Sequence, residues 1–219
     1  MKWKNIFGFL MLYCVLPGSA VAQKKVSEFT IVYNSNVQST ASKNGPAYTA
    51  TNTNYIKGNM SRTETVSGLA SFSLIHDASA GTAVVLREVN GQKLLIRMTA
   101  ENWQDKNKRY EGIRFTNTSE TKTIAGYKCI KALGTTHDSL NIVVYYTRDI
   151  IPDNKDYDPE FKNLDGLPLE YELIRGSTVI SYTLASINLN PVPASRFDIP
   201  KSGYREMTYD ESKKLNQGG

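Results

Sequence analysis

Residues 82–98 read TAVVLREVNGQKLLIRM, two apolar runs joined by Asn90-Gly91. Asn-Gly is the pair best able to hold the two positive φ angles of a tight type I′ turn, whose twist matches that of the strands it joins. The stretch is a β-hairpin, and its alternation of side chains recurs along much of the chain. Phe29, Ile31 and Tyr33 share one face of EFTIVYN, and Ala70, Phe72 and Leu74 alternate with Ser71 and Ser73. Period-two patterning of this kind is the signature of half-buried strands.

Downstream, the same pattern predicts strands at 113–116, 126–133, 141–147, 169–175 and 178–188, with Arg175-Gly176-Ser177 as the turn between the last two. Successive strands on short turns pair antiparallel. Two polar stretches, 37–54 and 151–157, read as loops. The first is long for a compact domain, so it holds either a weakly patterned strand around 47–51 or a flap. The cluster Lys106, Lys108 and Arg109, mixed with Glu101, Asp105 and Glu111, reads as a solvated loop.

Helix signals are few. Asp158 suits an N-cap, Pro159 the first helical position and Glu160 the positive end of a short helix. Gly166 is expected to close that turn in the left-handed conformation, and Pro168 to open the next strand. Leu169, Tyr171 and Leu173 then share one face while Glu170 and Glu172 share the other. Near the end, Thr208 and Glu211 make a capping-box pattern ahead of SKKLNQ, a segment with too little apolar surface for a core helix; a docked or frayed tail is expected.

The first 22 residues combine Lys2 and Lys4 with an apolar run from Ile6 to Leu16, a Pro17-Gly18 break and the small pair Ala20/Ala22. That is the layout of a secretory signal cleaved after Ala22, and the run is short of the ~20 residues a spanning helix needs. Tyr13 stands where a lipoprotein signal needs a small residue before Cys14, so no lipid anchor is expected. Cleavage leaves 197 residues, read as one β-rich domain, 23–219, and lowers the formal charge from +5 to +3. Without a run or stripe of Lys/Arg, that excess is no nucleic-acid footprint. Cys129 is then alone and cannot form an internal disulfide, so stability must come from burial. It is expected to be a small buried hydrophobe in a strand.

Catalytic motifs are wanting. The two histidines occur as His76-Asp77 and His137-Asp138, both at strand ends before turn-forming residues, which reads as turn structure rather than metal ligation. HExxH, CxxC, Gly-x-Ser-x-Gly and GxxxxGK[ST] are all missing from the sequence. No enzyme activity, metal site or cofactor is expected. The 13 tyrosines and Trp103 suit a half-wet sheet surface or a stacking site.

The order TIAGYKCIKALG, VVYYTRDI, FKNLDGLPLEYEL and FDIPKSGYREMTYDE resembles exported GLPGLI-like proteins common in the Bacteroidota, which are related in pattern to periplasmic proteins with the outer-membrane lipoprotein carrier (LolA-like) fold. The likeness spans residues 26–211; Leu169 stands where the GLPGLI name has a second glycine. The resemblance implies a mainly β fold: a single curved antiparallel sheet, an open half-barrel, with a few short helices and an apolar concave surface that receives acyl chains. It also implies a counterpart to the family's early-strand arginine, Arg62 in GNMSRTE, as a polar contact, with an ordinary surface arginine as the other reading.

These readings converge on an exported, periplasmic or secreted binding protein whose apolar groove takes an acyl chain of a lipid or lipoprotein. The expected lining is Phe72, Leu74, Leu86, Leu94, Ile96, Leu169, Tyr171 and Leu173. The alternative is an envelope scaffold that accepts a protein partner's strand along an open sheet edge.

Overall fold

The computed structural model describes residues 23–39, 48–68 and 70–217. The segment expected to be a secretory signal, 1–22, and part of the 37–54 stretch lie outside the described residues. Within the described residues the strands are β1 (Lys24–Val26), β2 (Glu28–Ser39), β3 (Tyr48–Lys57), β4 (Met60–Ser67), β5 (Ala70–Asp77), β6 (Thr82–Val89), β7 (Gln92–Met98), β8 (Phe115–Ile124), β9 (Tyr127–Thr135), β10 (Asn141–Thr147), β11 (Ile150–Pro152), β12 (Leu167–Arg175), β13 (Thr178–Asn188) and β14 (Arg205–Thr208). Two helices accompany them, α1 (Ala100–Asn107) and α2 (Tyr209–Gln217), with single 3-10 turns at Lys108–Tyr110, Pro159–Phe161 and Ala194–Phe197.

Twelve strands form one open, curved sheet in the order β14-β7-β6-β5-β4-β3-β2-β13-β12-β10-β9-β8. It is antiparallel except at one edge, where β14 pairs parallel to β7, and β1 and β11 make a separate parallel pair. Local chemistry accounts for the hairpins: Asn90 and Gly91 take φ of 50° and 77°, as the type I′ turn requires, and Val89 faces Gln92 across it. Two antiparallel runs result, β2 to β7 and β8-β9-β10-β12-β13. Antiparallel pairing of β13 with β2, from Thr178↔Ser39 to Asn188↔Thr30, joins them into one sheet.

The two faces are covered in different places. On the inner face, Phe29, Ile31 and Tyr33 of β2 pack with Ile56, Ile142, Val144, Leu169, Tyr171 and Leu173, and the β11–β12 connection lays Phe161 and Leu164 over them. On the outer face, Ile75, Val84, Leu86 and Leu95 are covered by Val192 and Phe197 from the segment after β13. Arg62 fastens that segment by donating to the Arg196 carbonyl at 2.9 Å.

Several expectations need correction. The polar stretch around Lys106 is a helix, α1, rather than a solvated loop. Its cap is a reciprocal pair in which Asn102 N donates to Thr99 Oγ1 and Thr99 N donates to Asn102 Oδ1, so asparagine stands where the capping box usually has Glu or Gln. Asp158 makes no side-chain cap, and only one 3-10 turn follows it. Gly166 is not left-handed: it is glycine because a Cβ there would lie 2.0 Å from the Thr147 carbonyl oxygen. Pro168 is the second residue of β12, opposite Tyr146 where the register shifts, a bulge position that tolerates its missing N–H. β3 covers the region of the weak strand expected around 47–51, and β4 carries no apolar alternation to announce it. The capping box at Thr208 and Glu211 is formed, and α2 docks through Lys213 on Asp105 at 2.9 Å.

Cys129 sits in β9, fully buried. Burial pushes its thiol up to about 11, and only the thiolate reacts. A thiol reagent at about pH 7.5 is expected to label the native protein at least ~100-fold more slowly than the protein in denaturant; comparable rates would contradict this.

Candidate functional site

The eight residues expected to line one groove fall in three places. Register sets Phe72, Arg87 and Leu94 in one row of the inner face and Leu74, Val85 and Ile96 in the next. Of the expected set, Phe72, Leu94 and Ile96 line a cleft of about 280 Å³ whose other walls are Lys106 of α1, Met207 of β14 and Tyr209 and Lys213 of α2. Leu74 is half-buried beside them. Leu86 points to the outer face and is 6 % exposed in the second core, so it does not belong to this cleft. Leu169, Tyr171 and Leu173 do share the inner face, but there it is filled by Phe161 and Leu164. Their lining role is corrected to a core role, because alternation tells which side chains share a face and not what covers it.

Arg62 lies on the outer face. Its guanidinium donates to the Arg196 carbonyl and, at 3.2 Å, to Ser73 Oγ, and it pairs with Glu64 at 2.8 Å. These bonds occupy it in holding the 189–204 segment.

The cleft is apolar on its floor and cationic at its rim. Phe72 is 39 % exposed, a large apolar ring left open to solvent, with the Arg87 guanidinium 5.4 Å from its centroid. Lys213 and Lys108 both bond to Asp105, and those bonds hold the Asp105 carboxyl at about 2, so it stays ionised under ordinary conditions. Lys106 also feels the charge of the Glu160 carboxyl, which lies two residues after Asp158. Tyr110 donates to Glu160 at 2.5 Å. Burial pushes both carboxyls above the usual range, and the charge of Glu160 raises Asp158 further, while the Tyr110 hydroxyl and Lys106 work against the rise at Glu160. In the sequence these two acids read only as a helix start.

A second cleft, of about 420 Å³, opens on the other flank of α1 among His76, Trp103, Tyr110, Asp156 and Lys162. His76 is 3 % exposed and stacks on Trp103, ring centroids 4.2 Å apart and 19° from parallel. The expected turn after His76 is present, since Asp77 Oδ1 accepts from the amides of Ser79 and Ala80. The stack itself was not foreseen; the one available signal was a tryptophan in an otherwise polar helical stretch. Asp138 likewise takes part in a turn, accepting from Thr136 Oγ1 at 2.5 Å. Among the described residues, no group of three or more His, Cys, Asp or Glu is placed to hold a metal ion, and no helix is long and apolar enough to cross a membrane.

The outer edge of the sheet at β8 is interrupted. Its register against β9 shifts between Asn117 and Thr121, and Glu120 and Lys122 sit on it, paired to Lys131 and Glu170. Bulges and charges of this kind blunt an edge against further strands.

No protein-family model matches the chain, and no curated protein matches it. Among solved structures it is similar to PNGF-II, at 17 % identity and a TM-score of 0.48 over 88 % of this chain and 34 % of that one. It is also similar to an uncharacterized conserved protein from Thermus thermophilus, at 10 % identity and a TM-score of 0.46, covering 81 % and 90 % of the two chains. A chain of the Pseudomonas aeruginosa MucA/MucB complex gives 12 % identity and a TM-score of 0.42, covering 79 % and 56 %. The chain spans about a third of the length of the PNGF-II chain.

Proposed function

We propose that this is an exported, non-catalytic binding protein for an anionic amphiphile, the acyl chain of a lipid or lipoprotein being the fitting class. The observation that carries the reading is the cleft beneath α1 and α2. Its floor, Phe72, Leu94 and Ile96, is apolar and partly open, and Lys106, Lys213 and Arg87 stand around it. Elsewhere the inner face is either filled, as at Leu169, or polar, as at Asn52 and Thr65, where Thr65 donates to Asn52 Oδ1 at 2.8 Å. At about 280 Å³ the cleft lies just below the ~300–1,000 Å³ common for ligand sites, which suits a slender chain rather than a bulky ring system. An apolar tail on the floor and an anionic head at the cations would satisfy both halves of the site. The LolA-like resemblance supports the same class. At the β8 edge the strand-accepting alternative is disfavoured by the bulge and the charges there.

The test is binding of a fluorescent fatty acid to delipidated protein at pH 7.5. Phe72→Asp is expected to weaken binding roughly 10-fold or more, since burying a carboxylate against a chain costs about 1–3 kcal/mol or more, and to leave the fold intact because Phe72 is 39 % exposed. Absence of binding by wild type, or undiminished binding by folded Phe72→Asp, would overturn the reading.

A further inference from the structure

His76 lies near the end of β5 on the inner face, and neither of its ring nitrogens has a hydrogen-bond partner. A neutral imidazole presents one N–H in that position, whereas an imidazolium presents two and a charge. A cation under an indole face gains some attraction, but two donors without acceptors cost more than that contact returns. Burial accordingly holds the ring below its ordinary range. Of the charged groups facing it, Asp156 and Asp77 favour the cation and Lys162 opposes it. Lys162 is itself paired with Asp156 at 2.5 Å, and the cross-strand neighbours Ser61 and Ala83 are uncharged.

Helix α1 rests lightly on the sheet. None of its residues is fully buried. Its contacts include the Trp103 stack on His76, the exposed ion pair of Asp105 with Lys213 beside the Tyr209 hydroxyl, the attraction of Lys106 to Glu160, and the approach of Ala100 to Gly81. The same helix walls both clefts, with Trp103, Gln104 and Asn107 on one and Lys106 on the other.

We propose that the His76–Trp103 stack is a latch opened by acid: protonated His76 leaves the stack for water, α1 lifts, and the apolar cleft loses a wall and releases its ligand. The release step rests on the amphiphile reading above; the latch does not. With α1 lifted the ring returns to an ordinary value near 6.5, while the closed state holds a lower one. The open state therefore takes up more protons. The closed state keeps its full advantage above about pH 6.5 and loses up to about tenfold per pH unit as pH falls from there through the lowered value.

The experiment uses the chain without the expected signal, residues 23–219, in which Trp103 is the one tryptophan and emission reports it alone. Emission is followed from pH 8 to 4.5 beside far-ultraviolet circular dichroism, and binding of a dansyl-labelled alkyl sulfonate, which stays ionised throughout, is measured at pH 7.5 and 5.0. A red shift with a midpoint below about 6.5 at unchanged dichroism, and at least ~10-fold weaker binding at pH 5.0, are expected. Both should vanish in His76→Phe, which keeps a stacked ring that cannot titrate. No shift, the same shift in His76→Phe, or a shift only together with loss of dichroism would overturn the latch. A shift with unchanged probe affinity would overturn its control of release. A shift in a protein that binds no probe at either pH would uphold the latch and sink the amphiphile reading instead.

Discussion

Gly166→Ala is expected to destabilise the protein by about 3 kcal/mol or more, an effect large enough to leave little folded protein in mild denaturant. The added Cβ would meet the Thr147 carbonyl oxygen at 2.0 Å and Tyr146 Cδ2 at 2.8 Å. Thr147 is fully buried and held in β10 between β9 and β12, where it pairs with Cys129 and Leu167. The clash is therefore with backbone that has no room to retreat. Relief would require the start of β12 to move, which pulls the Pro168 carbonyl from the Tyr33 hydroxyl that donates to it at 2.7 Å. Overpacking ordinarily costs about 1–3 kcal/mol, and a backbone contact belongs at or beyond the top of that range. Gly176→Ala makes the contrast. Gly176 has φ of 56° and open space around its Cα, so only conformational strain is added, about 1 kcal/mol. Equilibrium denaturation of the two variants decides the matter. A loss below about 1 kcal/mol for Gly166→Ala would show that the close approach is not rigid.

Leu169→Arg is expected to unfold the protein outright. Leu169 is fully buried beside Tyr171 and Phe161, and replacing it removes core packing while placing an unpaired guanidinium among aromatic rings. Removing a buried leucine alone costs about 2–5 kcal/mol and the charge adds several more, against a total stability of about 5–15 kcal/mol for a domain. The neighbouring Glu170→Arg breaks an ion pair with Lys122 whose partners are 34 % and 35 % exposed, and should change stability by less than about 1 kcal/mol. Circular dichroism and size-exclusion chromatography separate the outcomes. If Leu169→Arg remained folded, this part of the inner face would be an open groove after all.

Both predictions turn on residues whose importance the sequence announced for a different reason. Gly166 and Leu169 belong to the GLPL segment, which local rules present as a launch point into an alternating strand. The strand is there, with Leu169, Tyr171 and Leu173 on one side and Glu170 and Glu172 on the other. A left-handed glycine and an open groove are not. The same division holds elsewhere. Phe72 and Leu86 both alternate correctly within their own strands, yet register places them on opposite faces of the sheet. His76 reads as the residue before a turn, which it is, and nothing near it in sequence foretells the indole of Trp103 lying on its ring.

What the sequence determined by itself is what depends on a few adjacent residues: the Asn90-Gly91 turn, the capping box at Thr208, the extent of β10 and β13, and the pairing of side chains by face. These follow from φ preference and a two-residue period, and they act over distances shorter than one hairpin. Polar elements such as α1, β4 and most of β8 escaped because their side chains carry no apolar period; they are held by reciprocal caps and ladder bonds that any residue can make. Tertiary structure alone decided how the two antiparallel runs join, through β13 against β2, and which stretch of each face would be covered. Coverage comes from the 153–166 connection on one face and the 189–204 segment on the other, each brought to strands far from it along the chain. The open cleft at Phe72 is what remains where neither covering segment reaches, and no rule confined to neighbouring residues can locate that gap.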